Sequence, residues 1–187
     1  MTCRVVRASD QKSDATETFD ERAHELLKKY LHLEQLIEEF FQLVNYCYPK
    51  CVKKQRGKTK AGCCARNYYI FHPVYLHSPA VRLFQLMRTA KYGIPTNTEA
   101  TLSDGYQACN YHEPTGCILN DYKSPLCISF FCDKGIKWLQ KKHKITFDAG
   151  NIQKLMYDIL MDKITDKEYS ELELRLQANL TKIKEAQ

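Results

Sequence analysis

Leu26, Tyr30, Leu33, Ile37, Phe40 and Val44 recur at alternating spacings of four and three residues, and that period narrows the fold more than any other feature. A chain that returns apolar side chains to one face about every 3.6 residues lays down an amphipathic helix, and that face must be covered. Leu27, Leu36 and Phe41 widen the stripe beyond the seam of a coiled coil. Burial in the chain's own core is therefore favoured over a homodimer built on this long first helix. Thr18-Phe19-Asp20-Glu21 has the form of a capping box at its start, and the helix is predicted to end near Tyr46.

Further helices follow from similar signals. Ser78-Pro79 is a helix start, with a hydroxyl to cap and a proline for the first helical position. Ala80, Leu83, Phe84, Met87 and Ala90 then give the apolar face, and Gly93 and Pro95 the stop. A short helix is predicted from Gly135 to His143, with Ile136 and Trp138 or Leu139 inward. Asp148 caps another that carries Ile152, Leu155, Met156, Ile159 and Leu160. Thr165-Asp166-Lys167-Glu168 is a second capping box, ahead of Leu172, Leu176, Leu180 and Ile183. Arg66 to Leu76 is aromatic and reads as an extended segment packed on the core. The region from Cys109 to Cys132 is broken by Pro114, Gly116 and Pro125, too much punctuation for a regular element. The fold class expected is mainly α: a flexible tail over 1–15, then one helical domain over 16–187. Its cysteine-rich part, 47–132, is expected to be organised around one or two metal centres.

Those cysteines carry the chemistry. The chain has nine, an odd number that rules out complete internal pairing. With no apolar stretch of a signal peptide in Met1 to Asp14, a cytoplasmic location and reduced thiols are expected. Eight form couples: Cys47 with Cys51, Cys63 with Cys64, Cys109 with Cys117, and Cys127 with Cys132. Thiolates are soft ligands that select zinc, copper(I) or iron–sulfur clusters, and four make a closed site. An iron–sulfur cluster of the 4Fe-4S type is favoured, since twelve tyrosines and eight phenylalanines supply apolar shielding; zinc is the alternative.

The net charge of +6 falls to about +2 if two four-thiolate sites each contribute about −2. Lys53, Lys54, Arg56, Lys58 and Lys60 form a run without acidic residues. A solvated loop is favoured there over a nucleic-acid surface. No run of eighteen apolar residues suggests a membrane span. His72, His77 and His112 are read as surface or hydrogen-bonded side chains rather than ligands. No P-loop, G-x-S-x-G, dinucleotide fingerprint or H-E-x-x-H is present, so whether the chain is an enzyme stays open.

Cys47, Cys51, Cys63 and Cys64, followed by Gly116-Cys117, Lys123-Ser124-Pro125-Leu126-Cys127 and Phe130-Phe131-Cys132, resemble the zinc- or iron-chelating cysteine-cluster family of the YkgJ type. The resemblance implies eight metal-binding cysteines: Cys47, Cys51, Cys63, Cys64, Cys109, Cys117, Cys127 and Cys132. In one branch it implies the cysteine-rich part of a flagellin lysine methylase with an iron–sulfur cofactor. The function expected is a cysteine-ligated metal protein, in the first place an iron–sulfur protein with a redox or cluster-dependent enzymatic role and a redox or other protein partner. A zinc-stapled module that binds protein or nucleic acid is the alternative.

Overall fold

A computed structural model describes residues 19–47, 67–94, 109–113 and 116–186. The apolar stripe forms α1 (Glu21–Val44), in which Tyr30, Leu33, Ile37 and Phe40 are almost fully enclosed. Burying each such side chain is worth about 1.5–3 kcal/mol, which explains why this helix anchors the rest. Its cap differs from the expected capping box. Asp20 is the N-cap, accepting from the Ala23 amide at 2.7 Å, while Thr18 lies outside the described residues. At the other end Asn45 turns left-handed, with φ 41°, and its amide bonds to the Phe41 carbonyl.

Helix α2 (Pro79–Tyr92) starts on Ser78 and stops at Gly93, φ 74°, as predicted. Its inward face is rotated from the predicted one, so that Val81 and Arg88 are buried while Met87 is exposed. Between α1 and α2, Tyr69 and Phe71 pack inward ahead of a 3-10 turn at Pro73–Tyr75. His72 caps that turn, accepting from the Val74 amide at 3.3 Å.

The stretch expected to hold no regular element holds three short ones. Strands β1 (His112–Glu113) and β2 (Gly116–Cys117) form a short antiparallel ladder. The five-residue α3 (Pro125–Ser129) then starts on Ser124, whose hydroxyl accepts from the Cys127 amide at 3.2 Å. Ser124-Pro125 is the same start signal as Ser78-Pro79, obscured by the surrounding turn residues.

Three helices complete the fold: α4 (Asp133–His143), α5 (Ala149–Leu160) and α6 (Asp166–Glu185). Gly135 lets α4 sit on Phe131, since a Cβ there would meet that ring at 2.5 Å. Asp148 caps α5, and Thr165 with Glu168 forms the predicted capping box on α6. Helix α6 runs parallel to α1, linked through Lys29–Asp166 at 3.2 Å, His32–Glu173 at 2.7 Å and Glu39–Lys184 at 2.8 Å. Side chains of α1, α2, α4, α5 and α6 share one core cluster, so the apolar face of α1 is covered within the chain. The architecture is mainly helical, and among the described residues no helix is long and apolar enough to cross a membrane.

Candidate functional site

The structure separates the described cysteines into three environments. Cys47 is exposed just beyond the end of α1. Cys132 occupies the N-cap position of α4, with no side-chain cap bond. Cys109 and Cys127 pack with Tyr69, Tyr111 and Leu119 in a small second core. Cys117 is close enough for its charge to raise the Cys127 thiol, as does that of Cys109. Burial is the main cause of that rise, to about 11, opposed by a hydrogen bond from Ser124. Burial likewise pushes up the thiols of Cys109 and of Cys117, although part of Cys117 faces solvent. These three are protonated at neutral pH and poor nucleophiles.

The metal-protein expectation is corrected at this point. Among the described residues no three histidine, cysteine, aspartate or glutamate side chains come together where they could hold a metal ion. Neither the iron–sulfur function nor the zinc-stapled alternative survives that finding. The physical reason is that Cys109 and Cys127 turn into an apolar aromatic cluster, where a neutral thiol is favoured and behaves as a small hydrophobe. Cys47 follows the end of α1 and Cys132 is the N-cap of α4, where the neighbouring Tyr46 and Phe131 rings pack together. Cys51, Cys63 and Cys64, like the run Lys53, Lys54, Arg56, Lys58 and Lys60, lie outside the described residues.

Beside the thiols stands a residue that the sequence reading passed over. Arg88 is 5% exposed. Its Nη1 donates to the Tyr69 carbonyl at 2.9 Å. Its guanidinium lies 5.2 Å from the Tyr69 ring, 5.5 Å from Phe84 and 5.9 Å from Tyr111, distances at which ring faces attract a cation. The Nε has no hydrogen-bond partner. Burial pushes the pKa of Arg88 below its ordinary value, and nearby Tyr111 and Cys127 oppose that shift.

A second charged group was equally missed, and it opens onto a cavity. Glu34, 1% exposed, falls among the apolar residues of α1. Its Oε2 accepts from the Tyr122 amide at 3.0 Å and its Oε1 from the Lys123 amide at 2.7 Å. Tyr122 has φ 57°, a left-handed turn that presents successive amides as a small anion-binding nest; Glu34 fills it. The Tyr30 hydroxyl donates to the Lys123 carbonyl at 2.6 Å. The Lys123 ammonium pairs with Glu38, and the Ser124 hydroxyl donates to the Tyr68 carbonyl at 2.5 Å. The motif residues Lys123, Ser124 and Pro125 thus fasten one loop to α1 and start α3. Burial raises Glu34 to about 8, against the lowering effect of the two amides.

Between α1 and that loop runs a cleft of about 490 Å³. Leu31, Gln35, Glu38, Glu39 and Gln42 line it along α1, Asn120 and Asp121 along the loop, with Glu34 among the lining residues. From Leu31 to Gln42 the helix rises about 16 Å. Four carboxylates and three amides therefore surround one leucine. Their ammonium partners are Lys123 for Glu38, Lys184 for Glu39 at 2.8 Å and Lys91 for Asp121 at 2.5 Å. None of those lysines lines the cleft. A smaller cavity of about 200 Å³ near the starts of α1 and α2 contains Arg22 and Asp162, which already satisfy each other.

The sequence signal for Glu34 and Arg88 is a charge placed on an otherwise apolar helix face. Arg88 lies four residues past Phe84, and Glu34 seven residues past Leu27. No protein-family model matches the chain, and no curated protein or solved structure matches it, so the resemblance to the cysteine-cluster family rests on the quoted residues alone.

Proposed function

We propose that the chain is a helical recognition module that binds a linear ligand bearing ammonium groups in the cleft along α1. One observation carries the reading: in a chain with net charge +6, the cleft along α1 is lined, among the described residues, by Glu34, Glu38, Glu39 and Asp121 and by no basic residue. A cavity with convergent polar groups and a strongly shifted titrating residue is the default place to seek a ligand. Its extent along about three turns of helix suits a chain-like cation better than a compact one. The amides of Gln35, Gln42 and Asn120 add hydrogen-bonding positions between the carboxylates. A cation beside Glu34 favours the ionised carboxylate, so uptake near neutral pH releases a proton.

Calorimetric titration with spermidine, and separately with a short lysine-rich peptide, tests the reading and distinguishes the two sources of ammonium groups. Binding is expected for at least one, with heats that depend on the buffer's ionisation enthalpy because a proton leaves. Glu39→Gln should weaken it ~10-fold, the scale of one charge-assisted hydrogen bond. Absence of binding to both, or unchanged affinity in Glu39→Gln, ends the proposal.

A further inference from the structure

We infer that the exposed face of α4 is a docking surface for the phosphodiester backbone of a nucleic-acid duplex, engaged without reading base sequence. The inference is independent of the cleft. Helix α4 carries Lys134, Lys137, Lys141 and Lys142, and Lys144 is its C-cap. All five are exposed, and none makes an ion pair among the described residues. Elsewhere among the described residues Lys29, Lys91, Lys123, Lys154, Lys167 and Lys184 pair with a carboxylate, and Lys28, Lys163 and Lys182, which do not, are scattered over other elements, whereas α4 gathers five unpaired lysines within eleven residues. On α4 the Lys142 ammonium instead lies 5.0 Å from the Trp138 ring, and Lys144 donates to the Lys141 carbonyl at 3.3 Å.

Helix stability does not explain this arrangement. Lysines in the last turn complement the negative end of the helix, but Lys134 stands in the first turn, at the positive end, where cations are disfavoured. Lys134 with Lys137, Lys137 with Lys141, and Lys141 with Lys144 are like-charge neighbours three or four residues apart, a spacing that costs stability. Together these four lie on one side of the helix along about 15 Å of rise. A rigid row of unneutralised cations meets its complement in a regular row of phosphates, where binding releases condensed counterions.

The other occupants fit less well. An amphipathic helix that enters a membrane needs its apolar face, whereas Leu139 is fully buried and Gly135 is covered by Phe131. Single-strand binding relies on aromatic platforms for the bases. The aromatic residue of α4, Trp138, is half-buried, packed against Tyr46 and His143 and faced by Lys142. A duplex backbone requires neither an apolar face nor an open ring.

The test is fluorescence anisotropy of the full chain with a labelled duplex of arbitrary sequence, followed across salt concentration. Affinity should fall linearly with salt on logarithmic axes, with a slope of about −0.9 for each phosphate neutralised. The double variant Lys137→Glu/Lys141→Glu should flatten that slope by about two units, and Lys137→Arg/Lys141→Arg should restore it. Unchanged circular dichroism of the glutamate variant separates loss of contact from loss of fold; where it does not fold, the glutamine double variant must show the same flattening. The inference is overturned by absence of duplex binding at low salt. Loss confined to Lys53→Glu/Lys54→Glu overturns it, as does equal affinity for an acidic lipid vesicle or for single strands.

Discussion

Glu34 in the cleft and Arg88 beside the thiols are both charged, both on otherwise apolar helix faces and both nearly excluded from water. Their surroundings treat them in opposite ways. Glu34 receives two backbone amides from one turn and, as a carboxyl, can also take up a proton. Arg88 has one carbonyl bond, three ring faces and an Nε without a partner, and a guanidinium does not deprotonate in proteins. The cleft can therefore respond to protons and cations, whereas the thiol pocket holds a fixed charge among neutral groups. A buried charge does not by itself mark a responsive site; its freedom to change protonation does.

The largest expected effect follows from that difference. The carboxyl of Glu34 is raised from 4.5 to about 8 in the fold, so the folded state holds a proton that the unfolded state has released. The resulting stability is fully present below about pH 4.5 and is lost as pH rises through about 8. The loss amounts to at most about 5 kcal/mol over the window, at 1.36 kcal/mol per unit. Urea unfolding across that range should show the decline, and Glu34→Gln should remove most of it. A flat profile in the native chain would erase the contrast with Arg88.

Removing the Glu34 side chain comes next in size. Glu34→Ala strands the Tyr122 and Lys123 amides in a buried turn, at roughly 1–3 kcal/mol each, for a total of about 3–4 kcal/mol in denaturant midpoints converted to free energy. A cost below ~1 kcal/mol would mean that the turn does not depend on this carboxylate. The smallest effect is expected at Arg88. Arg88→Met gives up the Tyr69 bond and the ring contacts but also removes the cost of an imperfectly paired buried cation, so stability should move by no more than ~1 kcal/mol, equally at pH 6 and pH 9. A loss above ~3 kcal/mol would reveal a compensating negative charge in the thiol pocket and bring the two regions closer in kind.

Much of the fold was legible from local chemistry. Ser78-Pro79 with Gly93, Asp148, and the Thr165–Glu168 box each mark a helix end where the structure has one, because caps satisfy orphan amides within a few residues. The Ser124-Pro125 start was equally local, yet Gly116, Pro114 and the cysteines around it suggested loop throughout. The site was far less legible. Thiol spacing along the chain says which cysteines are available, but packing decided that Cys109 and Cys127 join an aromatic cluster and that Cys47 and Cys132 stand where α1 ends and α4 begins.

By itself, the sequence determined the five longer helices, the caps of α2, α5 and α6 and the apolar face of α1, since those depend on periods of three and four residues and on contacts between near neighbours. Only the tertiary structure decided that Glu34, one charge in that face, would meet the amides of Tyr122 and Lys123 some ninety residues away. It also decided that the outward side of the same helix would face Asn120 and Asp121 across a cleft. Such meetings require the whole core to close first. The ionisation of a buried group depends on everything packed around it, which no stretch of neighbouring residues specifies.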